Sequence, residues 1–260
     1  MRKPTDICLL CQEKNSTKKK SHLIPKFFGK GIFEGTSPRH GVGIYKTGKR
    51  ERIQDTLKEN YIFCPDCERG FSIFETYCSF RLERFNDYKY RSQYNRIKRG
   101  KFEYFECKEL DIRIFNLLIY SIVWRVSVSE SYAFGAFKLP NNEENALRIL
   151  MKNYIKPTQT ELFDHINKLD FLPNHSHIII RPKKKLRPPN SMISAASLNE
   201  WVHEMHLVDY IIFYFTDKGK NAVGLEEIDN NNLDNLVRVG LLPIEDWKSY
   251  SNEMVSSILK

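Results

Sequence analysis

Two Cys-x-x-Cys pairs constrain the fold of this chain more than any other feature of its sequence. Cys8 and Cys11 form the first pair, and Cys64 and Cys67 form the second, about fifty residues later. Each pair makes a tight turn whose two sulfurs cover one edge of a tetrahedron, so two such pairs match the ligand set of a structural zinc ion. We therefore predict that these four cysteines bind one Zn²⁺.

The cysteine pairs are predicted to be metal-binding thiolates and not disulfides. The N-terminus has no apolar run long enough for a signal peptide, and the most apolar later run, residues 112–128, is interrupted by Arg113 and Arg125. We therefore expect a soluble, cytoplasmic protein without a membrane anchor, in a reducing compartment that keeps thiols available to metal. Cys78 and Cys107 lie outside any pair and are predicted to be ordinary buried thiols.

The net charge of +9 is distributed unevenly along the chain. Residues 1–108 contain 24 Lys and Arg against 13 Asp and Glu, whereas residues 109–260 contain 17 against 19. The basic excess therefore belongs to the half that carries the cysteine pairs. Such an asymmetry indicates a polyanionic partner, most simply nucleic acid, whose phosphates are bound by Lys and Arg. The alternative is a basic surface that only confers solubility.

The predicted order of elements around the cysteines is that of a treble-clef zinc module. We expect two hairpin strands, Gly43 to Lys46 and Arg52 to Cys64, followed by a helix after Cys67. This module occupies residues 1–80, and a basic and aromatic connector follows at residues 81–108. The predicted fold class is α+β, with the zinc module followed by a larger α+β domain.

The larger domain, residues 109–260, combines helical and β-rich patterns whose role the sequence leaves open between recognition, regulation and partner binding. Its predicted elements are a long apolar helix from Leu110, a helical region from Asn141 interrupted at Pro157, β-rich runs at 177–180 and 206–216, and a last helix from Pro243. Four histidines, His175, His177, His203 and His206, are assigned to structural or surface positions, because no carboxylate stands at matching spacing.

Three residues of the module have the chemistry that a single-metal nuclease needs. A histidine at the end of the first strand, His22, suits a general base because its ordinary pKa lies near neutrality. Glu68 and Glu75 are seven residues apart and so share a face of the predicted helix. Carboxylates in that place suit Mg²⁺ or Mn²⁺ as hard ligands.

The motifs together resemble the four-cysteine HNH endonucleases, whose ββα-metal core lies on a zinc-bound treble clef. The segments that carry the resemblance are the first cysteine pair, residues 21–27 (Ser-His-Leu-Ile-Pro-Lys-Phe) and residues 63–68 (Phe-Cys-Pro-Asp-Cys-Glu). The resemblance covers roughly residues 5–80. It implies metal-dependent hydrolysis of nucleic acid, with His22 as general base, Ser21 as the first metal ligand and Glu68 in place of a helix-borne histidine ligand.

The sequence departs from that family at three positions. Ser21 replaces the usual Asp or His, Glu68 replaces a His, and the family's middle Asn has no clear match, with Glu59 and Asn60 standing nearest. Either the catalytic metal site is rebuilt from carboxylates, with Glu75 recruited, or the module has lost catalysis.

Two functions therefore remain open, beside a purely structural zinc-bound domain with no role toward nucleic acid. The first is a nuclease that uses Mg²⁺ or Mn²⁺ and acts on nucleic acid, with DNA favoured over RNA. The second is a noncatalytic zinc module that binds nucleic acid or a protein partner, the latter through the C-terminal domain. A looser resemblance, carried by CxxC, SHxIPKF and CxxCExxFSxxE, is to bacterial HNH-like proteins associated with phage defence, and it implies an effector of that kind.

Overall fold

The computed structural model describes most of the chain and confirms an α+β fold. The described residues are 2–33, 40–44, 50–83, 92–131, 134–168, 175–183, 192–216, 224–231 and 234–258. Within them lie six α-helices and three β-sheets, one of seven strands and two of two strands. No helix in these ranges is both long enough and apolar enough to cross a membrane.

The N-terminal part is built from short strands and one long helix. Its elements are β1 (Ser21–His22), a 3₁₀ turn (Lys26–Gly29), α1 (Lys30–Phe33), β2 (Gly41–Ile44), β3 (Arg50–Ile53), β4 (Lys58–Glu59) and α2 (Pro65–Glu83). Strand β1 pairs antiparallel with β4, and β2 with β3. The order of cysteine pair, hairpin, cysteine pair and helix is the one predicted for a treble clef.

The prediction of one strand from Arg52 to Cys64 is wrong. The chain leaves β3 at Ile53, turns, and then pairs with β1 through β4. The turn is stabilised locally, because Asp55 Oδ1 accepts a hydrogen bond from the backbone N–H of Thr56 at 2.8 Å. An Asp side chain that binds a neighbouring backbone group competes with the strand ladder and ends it.

The seven-stranded sheet combines strands of the C-terminal part with a hairpin from the predicted connector. Its strands are β5 (Tyr94–Arg99), β6 (Phe102–Cys107), β7 (His177–Pro182), β8 (Ile193–Ser197), β9 (Val202–Leu207), β10 (Tyr210–Phe215) and β11 (Val237–Leu242). Their order is β5-β6-β11-β7-β10-β9-β8. All neighbours are antiparallel except β7 and β11, which are parallel.

Two predictions about β structure change in detail. Most of the connector's described part, 94–107, forms β5 and β6, and its basic residues are exposed on an edge strand, where charge prevents further pairing. The run 206–216 is not one strand. It spans the end of β9, a turn in which Val208 has a φ of +63°, and β10.

The helices cover both faces of the sheet. They are α3 (Ile112–Val128), α4 (Asn141–Tyr154), α5 (Gln159–Asn167) and α6 (Ile244–Ile258), and a short 3₁₀ helix (Glu226–Ile228) precedes β11. The break predicted at Pro157 is confirmed between α4 and α5. The last helix begins one residue after Pro243, as predicted. On the outer face of the sheet, Trp247 of α6 packs with Ile211 of β10.

Helix α3 is buried on nearly every side and joins the N-terminal part to the sheet. It begins after Asp111, whose side chain caps the helix by accepting a hydrogen bond from Arg113 N at 2.8 Å. It packs on α2 and on α4. The ring of Trp124 stacks on Phe63, which directly precedes the second cysteine pair, with 5.9 Å between ring centroids. One hydrophobic cluster therefore runs from the cysteine pairs through α3 to the sheet.

Gly70 marks the closest approach of α2 to the chain that follows α4, and it yields a stability prediction. A Cβ at Gly70 would lie 2.1 Å from Cγ2 of Ile155. We expect Gly70→Ala to lower the free energy of unfolding by roughly 1–2 kcal/mol, because overpacking outweighs the gain of about 1 kcal/mol in helix propensity. Urea unfolding measures the change. In an Ile155→Ala background the same substitution should no longer destabilise, and an equal loss in both backgrounds would contradict the prediction.

Candidate metal centre and the site around His22

The two cysteine pairs converge on one point. All four sulfur atoms of Cys8, Cys11, Cys64 and Cys67 lie within 4.8 Å of one another, and Cys11 Sγ lies 3.9 Å from Cys64 Sγ. A tetrahedron with Zn–S bonds of about 2.3 Å has edges of about 3.8 Å, so this spacing fits a four-coordinate zinc ion. Among the described side chains, no other group of three or more His, Cys, Asp or Glu residues comes as close together.

Local backbone geometry makes each half of this cluster. In the first pair, Cys8 N donates to Lys14 O at 2.8 Å, and Gln12 N donates to Cys8 O at 3.0 Å. Gln12 takes a positive φ of 58°, which turns the chain sharply after Cys11. In the second pair, Pro65 is the first residue of α2, where the missing N–H of proline costs no hydrogen bond. Both turns follow from the sequence within a few residues.

A hydrogen bond between Cys8 and Cys67 and the burial of the sulfurs shift the pKa values of three thiols in opposite directions: that of Cys8 is lowered, and those of Cys64 and Cys67 are raised. A hydrogen bond from Cys67 lowers the pKa of Cys8 to about 5, and the same bond, with burial, raises the pKa of Cys67. Since the thiolate is the form that binds zinc, Cys8 is ready to do so at neutral pH. Cys78 and Cys107 are buried outside the cluster, as predicted. Burial raises the pKa of Cys107 to about 12 and that of Cys78 well above its ordinary value, so both stay protonated.

His22 ends β1 and lies beside a carboxylate that the sequence did not single out. Its Nε2 is 3.6 Å from Oδ2 of Asp55, in the turn before β4, and Lys58 Nζ forms an ion pair with the same oxygen. The imidazole side chain is 26% exposed. The ring is thus partly open to solvent, although Nε2 itself is buried beside the Asp55 carboxylate and has no hydrogen-bond partner among the described residues. The pairing of His22 with Lys58 across β1 and β4 brings this turn to the imidazole, and no signal in the sequence indicates that pairing.

The surroundings of His22 keep it neutral at pH 7. Burial and the charge of Lys58 lower the pKa of His22, while the carboxylates of Asp55 and Glu68 oppose that shift. Glu68 stands in the first turn of α2, close enough for its charge to act on the imidazole. A neutral imidazole with a depressed pKa can accept a proton at physiological pH.

The other predicted catalytic residues divide into two groups. Glu68 is partly exposed, whereas Ser21 is fully buried and its Oγ has no hydrogen-bond partner among the described residues. Glu75 forms an ion pair with Arg125 of α3, with 2.7 Å between Oε1 and Nη1. Burial raises the pKa of Glu75, and the Arg125 charge opposes that shift. His22 and Glu68 therefore lie near solvent, while Ser21 and Glu75 point into the protein.

Neither residue nearest to the family's missing Asn faces His22. Glu59 Oε1 accepts a hydrogen bond from Ser129 Oγ at 2.6 Å, and Asn60 Oδ1 accepts one from Lys20 N at 2.9 Å. Both side chains hold backbone or neighbouring segments in place. The polar side chain that contacts the imidazole is that of Asp55.

Exposed lysines flank the strand that carries His22. Lys18, Lys19 and Lys20 directly precede β1, and Lys26 follows it. Backbone hydrogen bonds from Lys18 N to Phe63 O and from Tyr61 N to Lys18 O fix the path of this segment. The basic excess of the N-terminal half is thus concentrated partly around His22.

The C-terminal histidines lie in the interior and have carboxylate neighbours, contrary to the argument from spacing. Glu143, in the first turn of α4, lies 3.0 Å from Nδ1 of His175, and Glu204 forms a short contact with His206. Spacing missed Glu143 because it comes from another element. Of the two alternatives predicted for these histidines, the structural position is the one observed, and the surface position is not.

Comparisons with protein family models, with curated proteins and with solved structures found no match to this chain.

The cysteine cluster yields a direct prediction. Purified protein should contain one zinc ion per chain, and Cys64→Ala should release it and unfold the N-terminal part, because structural zinc binding contributes directly to the folding free energy. Cys78→Ala, a buried cysteine outside the cluster, is the matched control and should keep the metal. Elemental analysis after gel filtration decides, and stoichiometric zinc in the Cys64→Ala protein would contradict the assignment.

Proposed function

We propose that this protein is a metal-dependent HNH-like endonuclease that hydrolyses phosphodiester bonds in nucleic acid. The observation that carries the proposal is the position of His22. It ends a strand of a four-cysteine module, its imidazole is partly exposed and lies beside the Asp55 carboxylate, and the charge of Glu68 on α2 acts on it.

In the proposed reaction, His22 accepts a proton from the water that attacks the phosphorus. The bond from phosphorus to one ester oxygen breaks, and that oxygen leaves and takes a proton from solvent water. The Asp55 carboxylate orients the imidazole and stabilises the imidazolium that forms, which is the orienting role for which the sequence offers no Asn. Glu68 holds the Mg²⁺ or Mn²⁺ ion, since such sites need only one or two protein carboxylates besides phosphate oxygens and water. When bound, that ion polarises the scissile phosphate and offsets its charge.

The substrate is bound mainly through its phosphates. Lys18, Lys19 and Lys20 are exposed beside β1 and suit the flanking phosphates of a strand. The HNH resemblance favours DNA over RNA as the substrate. The phage-defence role rests on the looser sequence resemblance alone, and the larger α+β unit is the part that recognises the target or a protein partner.

A second candidate function is a noncatalytic zinc module that binds nucleic acid or a protein partner. The observation that favours it is that Ser21 is buried and Glu75 is paired with Arg125, which leaves Glu68 as the one predicted metal ligand beside His22. Incubation with plasmid, single-stranded DNA and RNA, with and without Mg²⁺ or Mn²⁺, separates the two. Salt-sensitive binding without any metal-dependent cleavage would favour the binding module.

The role of His22 gives the central prediction. His22→Ala should reduce cleavage by at least about a hundredfold, because general-base catalysis contributes roughly 10²–10⁴ in rate. Zinc content and nucleic-acid affinity should stay near those of the wild type, since binding rests on separate phosphate contacts. His165→Ala, a histidine on α5, is the control. Undiminished metal-dependent cleavage by the His22→Ala protein would rule out the proposed role.

The charges around His22 predict the pH dependence. The midpoint of the acid limb of the kcat/KM profile should lie at a pH below the ordinary histidine pKa of about 6.5, because burial and Lys58 lower the pKa of His22. Lys58→Met removes a positive charge and should move the acid limb to higher pH. Asp55→Asn removes a negative charge and should move it to lower pH. A shift of both variants in the same direction would show that His22 is not the titrating group.

A further inference from the structure

We infer that Arg125 is a positioning residue: its guanidinium reaches from α3 to hold the backbone carbonyl of His22, and so sets where the imidazole lies. This inference rests on the proposed function. It adds to that function a residue that lies far outside the HNH-like segment.

Arg125 is one of the most completely engaged side chains of the protein. Its Nη1 donates to His22 O at 2.9 Å and forms the ion pair with Glu75 at 2.7 Å. Its other nitrogens are held by α3 itself, with Nε donating to Ser121 O and Nη2 to Ser121 Oγ, both at 3.1 Å. The guanidinium also lies over the ring of Phe71, 4.8 Å from its centroid.

The side chain is only 2% exposed, so its direction is fixed by these contacts. A buried guanidinium needs a negative partner, and Glu75 supplies it. Glu75 lies on α2, the helix that also carries Glu68. The side chain of Arg125 on α3 therefore contacts both α2 and the end of β1. Glu75 therefore acts as the charge partner of Arg125 and not as a ligand of the catalytic metal.

The contacts of strand β1 with its neighbours are short. It pairs with β4 over two residues, Ser21 with Glu59 and His22 with Lys58, and just beyond it Leu23 N donates to Leu57 O at 2.9 Å. A two-stranded ladder of this length is marginal by itself. The bond from Arg125 adds a contact from inside the protein on the carbonyl of His22, the residue whose side chain meets the substrate.

The test is Arg125→Lys, which keeps the charge and the approximate length. One ammonium lacks the planar fork that spans Glu75, Ser121 and the His22 carbonyl together. We expect kcat to fall by about tenfold to a hundredfold with little change in KM, because misplacement of a catalytic group by about 1 Å costs up to that much. Zinc content should not change. Arg113→Lys, on the same helix but bound to Asp111, is the matched control and should keep the wild-type kcat.

A double variant separates positioning from stability. Arg125→Met alone leaves Glu75 buried without a partner, whereas Glu75→Gln with Arg125→Met removes both charges. The double variant should regain thermal stability relative to Arg125→Met, yet its kcat should stay low because nothing holds the His22 carbonyl. The Mg²⁺ concentration for half-maximal rate should stay that of the wild type. Recovery of kcat together with stability would overturn the inference, as would a wild-type kcat in Arg125→Lys.

An NMR measurement tests Arg125 without relying on cleavage. The backbone carbonyl ¹³C signal of His22, assigned with His22→Gln, should shift in Arg125→Lys, because that carbonyl loses its hydrogen bond from Nη1. The carbonyl signal of His165 should not move. If the wild type cleaves nothing but the His22 carbonyl signal shifts, the positioning role stands and the nuclease proposal fails. An unchanged His22 carbonyl signal would overturn the positioning role itself.

Discussion

The burial of α3 on almost every side is the constraint on which the rest of this structure depends. A helix that is apolar all round is stable only when protein surrounds it. Here the sheet covers one side, α4 another, and α2 with the cysteine-bearing segment a third. The stacking of Phe63 on Trp124 places the second cysteine pair directly against this helix. The N-terminal part therefore has no separate core, and its position relative to the sheet is fixed by α3.

One charged residue is buried on that helix, Arg125, and it lies where the candidate site meets the core. Arg125 is buried, and removal of one partner of such a buried pair costs about 3–5 kcal/mol. Glu75 compensates the charge, and His22 O takes one of its hydrogen bonds. The larger α+β unit thus contributes Arg125, which contacts the strand that carries His22, to the geometry of the candidate site.

Contacts between segments distant in sequence stabilise the N-terminal part more than its short β-sheets do. Its sheets have two strands each, and isolated two-stranded sheets are marginal in water. The four converging sulfurs, the α3 contacts and the Arg125 bond each fix a different point of it. Zinc at the cysteine cluster would hold the turn before β1 to the start of α2. Strand β1 carries His22, and α2 carries Glu68.

The sequence by itself determined the features that depend on neighbours along the chain. The cysteine cluster was predictable because each CxxC turn is closed by local hydrogen bonds, and α3 was predictable because its apolar residues recur within one helix. The tertiary structure alone decided which groups surround His22. Asp55 reaches the imidazole through a turn that ended a predicted strand, and Arg125 stands 103 residues from His22. Glu75 was predicted to be a metal ligand because of the helix face on which it lies, but it forms an ion pair with Arg125 of α3. Such contacts follow from how elements pack, and no spacing within the sequence encodes them.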